Sequence, residues 1–177
     1  MNEVRILDKK FRELISEQAI KKRVDEIALQ INRDLTGSEV IFVGILNGAF
    51  MFAADLFRKI DLKAMITFVK LASYQGVSSS GTVKELIGWN EDLVNKKIIV
   101  VEDIVDTGAT LERIVNELVI RNVAEIKIVT MLLKPAAYTR DIPINYIGFE
   151  IPNKFAIGYG LDYNGYGRSL PSVYTMI

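Results

Sequence analysis

Two adjacent carboxylates, Glu102 and Asp103, follow a run of apolar residues and precede a polar loop and a helical pattern. The start of a helix offers unpaired N–H groups to a phosphate, and the hydroxyls and the glycine of this loop add donors and allow close approach. The residues expected around the phosphate are Asp106, Thr107, Gly108, Ala109 and Thr110. The two carboxylates would repel a phosphate, but they suit the hydroxyls of a neighbouring sugar or a hydrated Mg²⁺ ion. This stretch therefore predicts a sugar-phosphate site.

Asp106 lies inside the predicted loop, close to the place that a sugar carbon would take. A carboxylate at that place could accept a proton during a reaction. The alternative is a structural role, in which the side chain caps the loop through an Asx turn. The residue pattern leaves both roles open.

The composition restricts the available chemistry. The 177 residues include 22 basic and 22 acidic side chains, 50% of the chain is hydrophobic, and there is no Cys and no His. We therefore expect a globular, cytoplasmic enzyme with no nucleic-acid partner, no membrane span and no thiolate metal site. Catalysis has to use carboxylates, lysine, arginine, backbone groups and a metal such as Mg²⁺, because the commonest general base is missing.

Helical and strand spacings of apolar residues alternate along most of the chain. A helix is predicted between Ser16, its N-cap, and Gly37, its stop signal. Further helices are predicted at residues 49–60 and after Gly108, and strands at residues 40–46, 65–72, 98–101 and 125–133. Strands separated by helices predict an α/β fold with a mostly parallel, twisted sheet flanked by helices.

The segment after Leu133 breaks this alternation. Short strands and turns rich in Pro, Gly, Asn and Tyr replace helices in residues 134–177. We expect a single domain, residues 1–177, with a core of about residues 35–133. A small C-terminal hood, formed largely by residues 134–177 with the N-terminal strand, would pack over the strand ends.

Two further candidate sites follow predicted strands, and ligands bind beyond the carboxyl ends of strands in such sheets. Asn47 and Gly48 follow the strand at residues 40–46, where an ordinary tight turn is the alternative. Lys134 follows the strand at residues 125–133, where a solvated lysine is the alternative.

Residues 100–110 resemble the signature of the type I phosphoribosyltransferases, enzymes that use 5-phosphoribosyl 1-diphosphate as donor. The segment YIGFEIPNKFAIGYGLDYNGYGRSL, residues 146–170, resembles the purine-binding hood of the hypoxanthine/guanine branch of that family. The resemblance covers nearly the whole chain. It implies the type I fold and transfer of the phosphoribosyl group to N9 of hypoxanthine or guanine, giving IMP or GMP and pyrophosphate. It also implies Mg²⁺ as cofactor and a homodimer or homotetramer.

The resemblance implies which residues bind the pyrophosphate. These are Asn47, Gly48 and Arg168, although the family often has Lys or Arg where Asn47 stands. A guanidinium group, with its fixed and delocalised charge, suits that anion. Ser73 and Tyr74 match the dipeptide of a lid that closes over the pyrophosphate.

The resemblance also implies the contacts of the purine and the metal. The ammonium group of Lys134 would donate to the oxygen at C6 and disfavour the amino group of adenine. Phe155 would offer a stacking face, although alternation alone also allows a core position. The backbone of Ala156 and the side chain of Asp162 would complete the base and metal contacts. The implied metal ligands are Glu102, Asp103 and Asp162.

The same residues resemble parts of other protein classes. A phospho-receiver domain also has an acidic pair and a later Lys-Pro, but its pair lies near the first strand and a further Asp lies before the lysine. Residues 108–133 contain no Asp, so this order does not fit. A relative acting on pyrimidines does not match the purine hood. A non-catalytic nucleotide-sensing regulator on the same fold is the alternative function.

Overall fold

The computed structural model describes residues 2–71, 85–89 and 91–177. Its helices are α1 (Glu17–Asp34), α2 (Phe50–Phe57) and α3 (Ala109–Ile120). Its strands are β1 (Glu3–Ile6), β2 (Lys9–Ile15), β3 (Glu39–Leu46), β4 (Lys63–Leu71), β5 (Glu85–Ile87), β6 (Lys97–Val105), β7 (Glu125–Leu133), β8 (Tyr146–Glu150), β9 (Ala156–Ile157) and β10 (Val173–Met176). Over these ranges, no helix has both the length and the apolar character needed to cross a membrane.

The main sheet has six strands in the order β5, β4, β3, β6, β7, β8. Strands β4, β3, β6, β7 and β8 are parallel, and β5 is antiparallel to β4. The predicted mostly parallel sheet is therefore confirmed. The Ile and Val run of β6 is buried because helices cover both faces of the sheet. The β3 pairing of β6 ends at Val101, whereas the β7 pairing continues to Val105, so residues 102–105 pair on one side only.

Helices α1 and α2 pack on one face of the main sheet, and α3 packs on the other. The predicted N-cap of α1 is confirmed, because the Ser16 hydroxyl accepts a hydrogen bond from the Ala19 N–H at 3.3 Å. The buried residues of α1 recur at helical spacing, at Ile20, Val24, Ile27, Ala28 and Ile31. Helix α2 ends at Phe57, three residues before the predicted end, because the chain closes there in turns that include an Ile60 to Phe57 bond.

A second, antiparallel sheet of four strands has the order β1, β2, β10, β9 and forms the hood. Both ends of the chain therefore build it. The expected boundary after Leu133 is wrong for β8, which pairs with β7 and extends the main sheet. The expected core start near residue 35 is also wrong, because α1 packs in the main core. The alternation of elements missed β8 because residues 134–145 form turns, whereas a parallel connection usually contains a helix.

Candidate active site

Glu102 lies just after the last residue of β6 that pairs with β3, and it pairs with Thr130 of β7. Its side chain is buried, and in the part of the chain that the structure describes its Oε2 atom has no hydrogen-bond partner. Burial raises the pKa of Glu102 well above its usual value, and the charge of Asp103 raises it further. An unpartnered buried carboxyl group is costly to a fold, so this one indicates a place for a ligand.

Asp103 lies beside the hood. Its Oδ1 atom accepts a hydrogen bond from the Ile104 N–H at 2.8 Å. Burial raises the pKa of Asp103 to about 6, while the Ile104 N–H and the charge of Arg168 act in the opposite direction. The charge of Asp162 raises this pKa. Both charges come from the loop after β9, so this loop lies close to the end of β6.

A cavity of about 80 Å³ lies between the end of β6 and the start of α3. Its lining includes every residue expected around a phosphate, namely Asp106, Thr107, Gly108, Ala109 and Thr110. Gly108 is the N-cap of α3 and has no side chain to cap this helix end, although Thr107 Oγ1 accepts a long hydrogen bond from the Ala109 N–H at 3.4 Å. The next N–H groups of α3, those of Thr110 and Leu111, can serve an anion in the cavity.

Gly108 is required by its conformation and by its neighbours. Its φ of +84° lies in the left-handed region that favours glycine. A Cβ atom at Gly108 would lie 2.6 Å from the ring of Tyr138 and 2.8 Å from Cγ of Arg140. Thr139 Oγ1 also donates to the Thr107 carbonyl at 3.4 Å. Residues 138–140 therefore form an outer wall of the loop.

Lys134 and Asp106 form an ion pair at the same edge of the sheet. Lys134 Nζ donates to Oδ2 of Asp106 at 2.6 Å. Lys134 is only 7% exposed, so the alternative of a solvated lysine is wrong. The Asp106 side chain is 46% exposed. One buried cation therefore contacts a carboxylate that remains accessible from the cavity.

The turn after β3 contains Asn47, which is exposed, and Gly48. The peptide bond before Asn47 is cis. A Cβ atom at Gly48 would overlap Oδ2 of Asp103, and a Cβ atom at Gly160 would overlap the carbonyl oxygen of Gly48. The structure therefore brings the predicted pyrophosphate turn against both the acidic strand end and the hood loop. Only glycines permit this approach.

Arg168 and Asp162 form an ion pair within the hood loop, at 2.6 Å. Arg168 Nη1 also donates to the Gly160 carbonyl at 2.6 Å, and Asp162 accepts from the Gly165 N–H at 2.6 Å. Within residues 2–71, 85–89 and 91–177, no group of three or more His, Cys, Asp or Glu residues could hold a metal ion. The three implied metal ligands therefore do not form such a cluster in this structure.

Phe155 precedes β9 and is 45% exposed, so the alternative of a core position is wrong. Its ring packs edge-on against Tyr163, with ring centroids 5.9 Å apart, and lies 6.5 Å from Phe11. Ala156 is buried in β9, opposite Thr175. The hood therefore holds one aromatic ring with a partly open surface.

The predicted lid residues, Ser73 and Tyr74, lie outside the described residues. Their role stays a prediction.

Comparison with known proteins agrees with this geometry. A sequence model described as the phosphoribosyl transferase domain matches residues 12–164. The hypoxanthine-guanine phosphoribosyltransferase of Aquifex aeolicus is 39% identical over 178 residues, which covers 99% of each chain. This chain belongs to the phosphoribosyltransferase family.

Further matches concern the same branch of the phosphoribosyltransferases. The hypoxanthine phosphoribosyltransferase of Salmonella typhimurium is 39% identical over 163 residues, 90% of this chain and 92% of the relative. A crystal structure of a hypoxanthine-guanine phosphoribosyltransferase from Bacillus anthracis has a TM-score of 0.86 at 37% identity and covers 94% of this chain and 96% of that chain. The resemblance and the fold predicted from the sequence are confirmed. The regulator alternative gains no support, because these relatives are named as transferases.

Two groups of contacts around this candidate site were missed by the sequence analysis. Tyr138 and Arg140 pack against Gly108 in the loop before α3, and Tyr159 of the hood contacts Asp55 of α2. These residues lie in turns or on a helix surface, where no spacing rule marks them. The only indication in the sequence was Gly108, because a glycine at such a position suggests close packing. It does not identify the residues that pack there.

Proposed function

We propose that this chain transfers the 5-phosphoribosyl group of 5-phosphoribosyl 1-diphosphate to N9 of hypoxanthine or guanine, forming IMP or GMP and pyrophosphate. This is a purine salvage reaction. The ion pair between Lys134 and Asp106, 2.6 Å long and beside the loop cavity, carries the proposal. The ion pair places an ammonium donor for a purine carbonyl beside a carboxylate acceptor for a purine proton, next to the cavity that residues 106–110 line.

In this proposal the loop at residues 106–110 binds the 5-phosphate of the ribose. The open N-terminus of α3 supplies N–H groups, and Thr107 and Thr110 supply hydroxyls. This phosphate group would occupy the cavity of about 80 Å³ that these residues line. The phosphate would therefore fix one end of the substrate.

The residues at the end of β6 fit a Mg²⁺ ion. Mg²⁺ prefers oxygen ligands and is usually bound by one or two carboxylates together with water and substrate oxygens. The unpartnered Oε2 atom of Glu102, found among the described residues, and the carboxylate of Asp103 meet this need. Bound Mg²⁺ would supply positive charge to the diphosphate as it leaves. Without the metal, Glu102 and Asp103 would accept hydrogen bonds from the ribose hydroxyls. Asp162 is the third implied metal ligand.

The purine would be held by residues of β7 and the hood. An ammonium group has three donors, so Lys134 can serve Asp106 and the oxygen at C6 together. In adenine an amino group replaces the oxygen at C6, so the N–H groups of Lys134 would face N–H groups instead of an acceptor, which disfavours that base. The half-exposed ring of Phe155 offers a stacking surface, and the Ala156 backbone would contact the base edge.

The reaction would form the bond between purine N9 and ribose C1 and break the bond between C1 and the pyrophosphate oxygen. Asp106 would accept the purine proton, held toward the base by Lys134. The backbone at Asn47 and Gly48 and the guanidinium of Arg168 would bind the departing pyrophosphate.

The test is a spectrophotometric assay with 5-phosphoribosyl 1-diphosphate, Mg²⁺ and each base in turn. We expect product with hypoxanthine or guanine, and none with adenine or uracil. Product with adenine alone would refute the role of Lys134, and no product with any purine would refute the proposed reaction. Light scattering tests the proposed homodimer or homotetramer, and cell fractionation tests the proposed cytoplasmic location.

A further inference from the structure

Three consecutive residues of the hood loop have positive φ values. These are +92° at Gly158, +49° at Tyr159 and +101° at Gly160. Glycine adopts such angles freely, but for tyrosine the left-handed region costs about 1–2 kcal/mol. Tyr159 is also only 5% exposed. A large residue in a strained and buried position needs compensating contacts, so its contacts are informative.

The Tyr159 hydroxyl makes one such contact across the molecule. It donates to Oδ2 of Asp55 at 2.9 Å, and the two residues are 104 positions apart in sequence. Asp55 lies on α2, the helix that starts directly after the turn of Asn47 and Gly48. Burial raises the pKa of Tyr159 and the charge of Asp55 raises it further, so the hydroxyl keeps its proton at physiological pH.

The neighbouring residue completes the link between the loop and the turn. A Cβ atom at Gly160 would overlap the carbonyl oxygen of Gly48. The Gly160 carbonyl itself accepts a hydrogen bond from Arg168 Nη1 at 2.6 Å. Tyr159 thus adjoins a residue that touches both halves of the proposed pyrophosphate subsite, the turn and the arginine.

We infer that Tyr159 is a positioning residue for pyrophosphate: its hydrogen bond to Asp55 fixes the hood loop, and with it Arg168, at the correct separation from the Asn47 and Gly48 turn. This inference rests on the proposed function. Without the hydroxyl, the loop can relax away from α2, and the diphosphate can no longer contact both halves at once. The 5-phosphate loop lies at the start of α3, and two of the three purine contacts, Phe155 and Ala156, precede the relaxed stretch in or beside β9, so nucleoside monophosphate binding should change far less than pyrophosphate binding.

The test compares Tyr159→Phe with a matched control, Tyr146→Phe. Tyr146 is equally buried, at 4% exposure, and its hydroxyl donates to Oδ2 of Asp34 at 3.4 Å. It starts β8 opposite Val129, in the middle of β7, and its hydrogen-bond partner Asp34 ends α1, away from the loops of the proposed site. Calorimetry would measure the binding of pyrophosphate with Mg²⁺, of the diphosphate donor and of IMP to each full-length variant.

We expect Tyr159→Phe to bind pyrophosphate and the donor about tenfold more weakly, since a hydrogen bond to a charged group is lost. Its affinity for IMP should stay within about twofold of the wild type, a change well below the tenfold step of a lost bond. Tyr146→Phe should bind all three ligands as the wild type does. An equal loss for all ligands, or the same loss in Tyr146→Phe, would overturn the positioning role.

Variants of Asp55 provide an independent route if Tyr159→Phe does not fold. Asp55 is only partly buried on α2, so Asp55→Ala removes the same hydrogen bond without opening the core. It should reproduce the pyrophosphate loss, whereas Asp55→Asn retains an acceptor oxygen and should restore most of the affinity. Wild-type pyrophosphate affinity in Asp55→Ala would overturn the inference. If pyrophosphate affinity depends on Tyr159 and Asp55 as expected but the wild type forms no nucleotide, only the proposed function is refuted.

Discussion

Replacing Gly108 by alanine is expected to damage phosphate binding far more than the same change at Gly37. Both glycines have positive φ, +84° and +75° respectively. Alanine in this left-handed region costs about 1–2 kcal/mol in each case. Conformational strain alone therefore predicts equal destabilisation, and Gly37→Ala serves as the control for that shared part.

The surroundings of the two glycines differ. A Cβ atom at Gly108 would lie 2.6 Å from Cε2 of Tyr138 and 2.8 Å from Cγ of Arg140, whereas nothing lies within 4 Å at Gly37. Inserting a methyl group into such packing adds about 1–3 kcal/mol. Gly108→Ala should therefore destabilise the protein by about 2–5 kcal/mol in total, compared with about 1–2 kcal/mol for Gly37→Ala.

The displaced loop should also lose donors to the phosphate. One hydrogen bond to a charged group is worth about 1.5–3 kcal/mol, so the affinity for IMP should fall about tenfold or more in Gly108→Ala. Gly37→Ala should keep wild-type affinity. Urea denaturation measures the stabilities, and calorimetry with IMP and with inosine, which lacks the phosphate, measures binding. Equal stability losses in the two variants, or wild-type IMP affinity in Gly108→Ala, would refute this reasoning.

Two other substitutions test the carboxylates. Burial raises the pKa of Asp103 from 3.8 to about 6, so this carboxyl group favours folding below pH 3.8, and that contribution is lost as the pH rises from 3.8 to about 6. The stability gain of Asp103→Asn in urea denaturation should grow from about zero at pH 4 to about 1–3 kcal/mol at pH 7, and a gain independent of pH would contradict burial as the cause. Asp106→Asn keeps the shape of the side chain but loses its basicity, so turnover should fall about 10²- to 10⁴-fold in steady-state assays with base binding retained. Wild-type turnover in that variant would exclude Asp106 as the proton acceptor.

The sequence by itself determined the features that depend on neighbouring residues. Apolar spacing predicted the helices and the parallel strands, because amphipathic periodicity is a local property of a segment. The loop before α3 was predictable for the same reason, since the β6 strand, Gly108 and the start of α3 are contiguous. The position of the lysine after β7 and of the turn after β3, at the same edge as this loop, was also predictable, because parallel strands bring their carboxyl ends to one edge.

Only the tertiary structure decided which distant residues meet. It buried Lys134 against Asp106, joined Tyr159 to Asp55 across 104 positions, and paired β8 with β7 without a connecting helix. It also built the hood sheet from both ends of the chain. None of these contacts has a periodic signature, because sheet order and loop packing depend on how the whole chain buries its apolar surface and satisfies its polar groups.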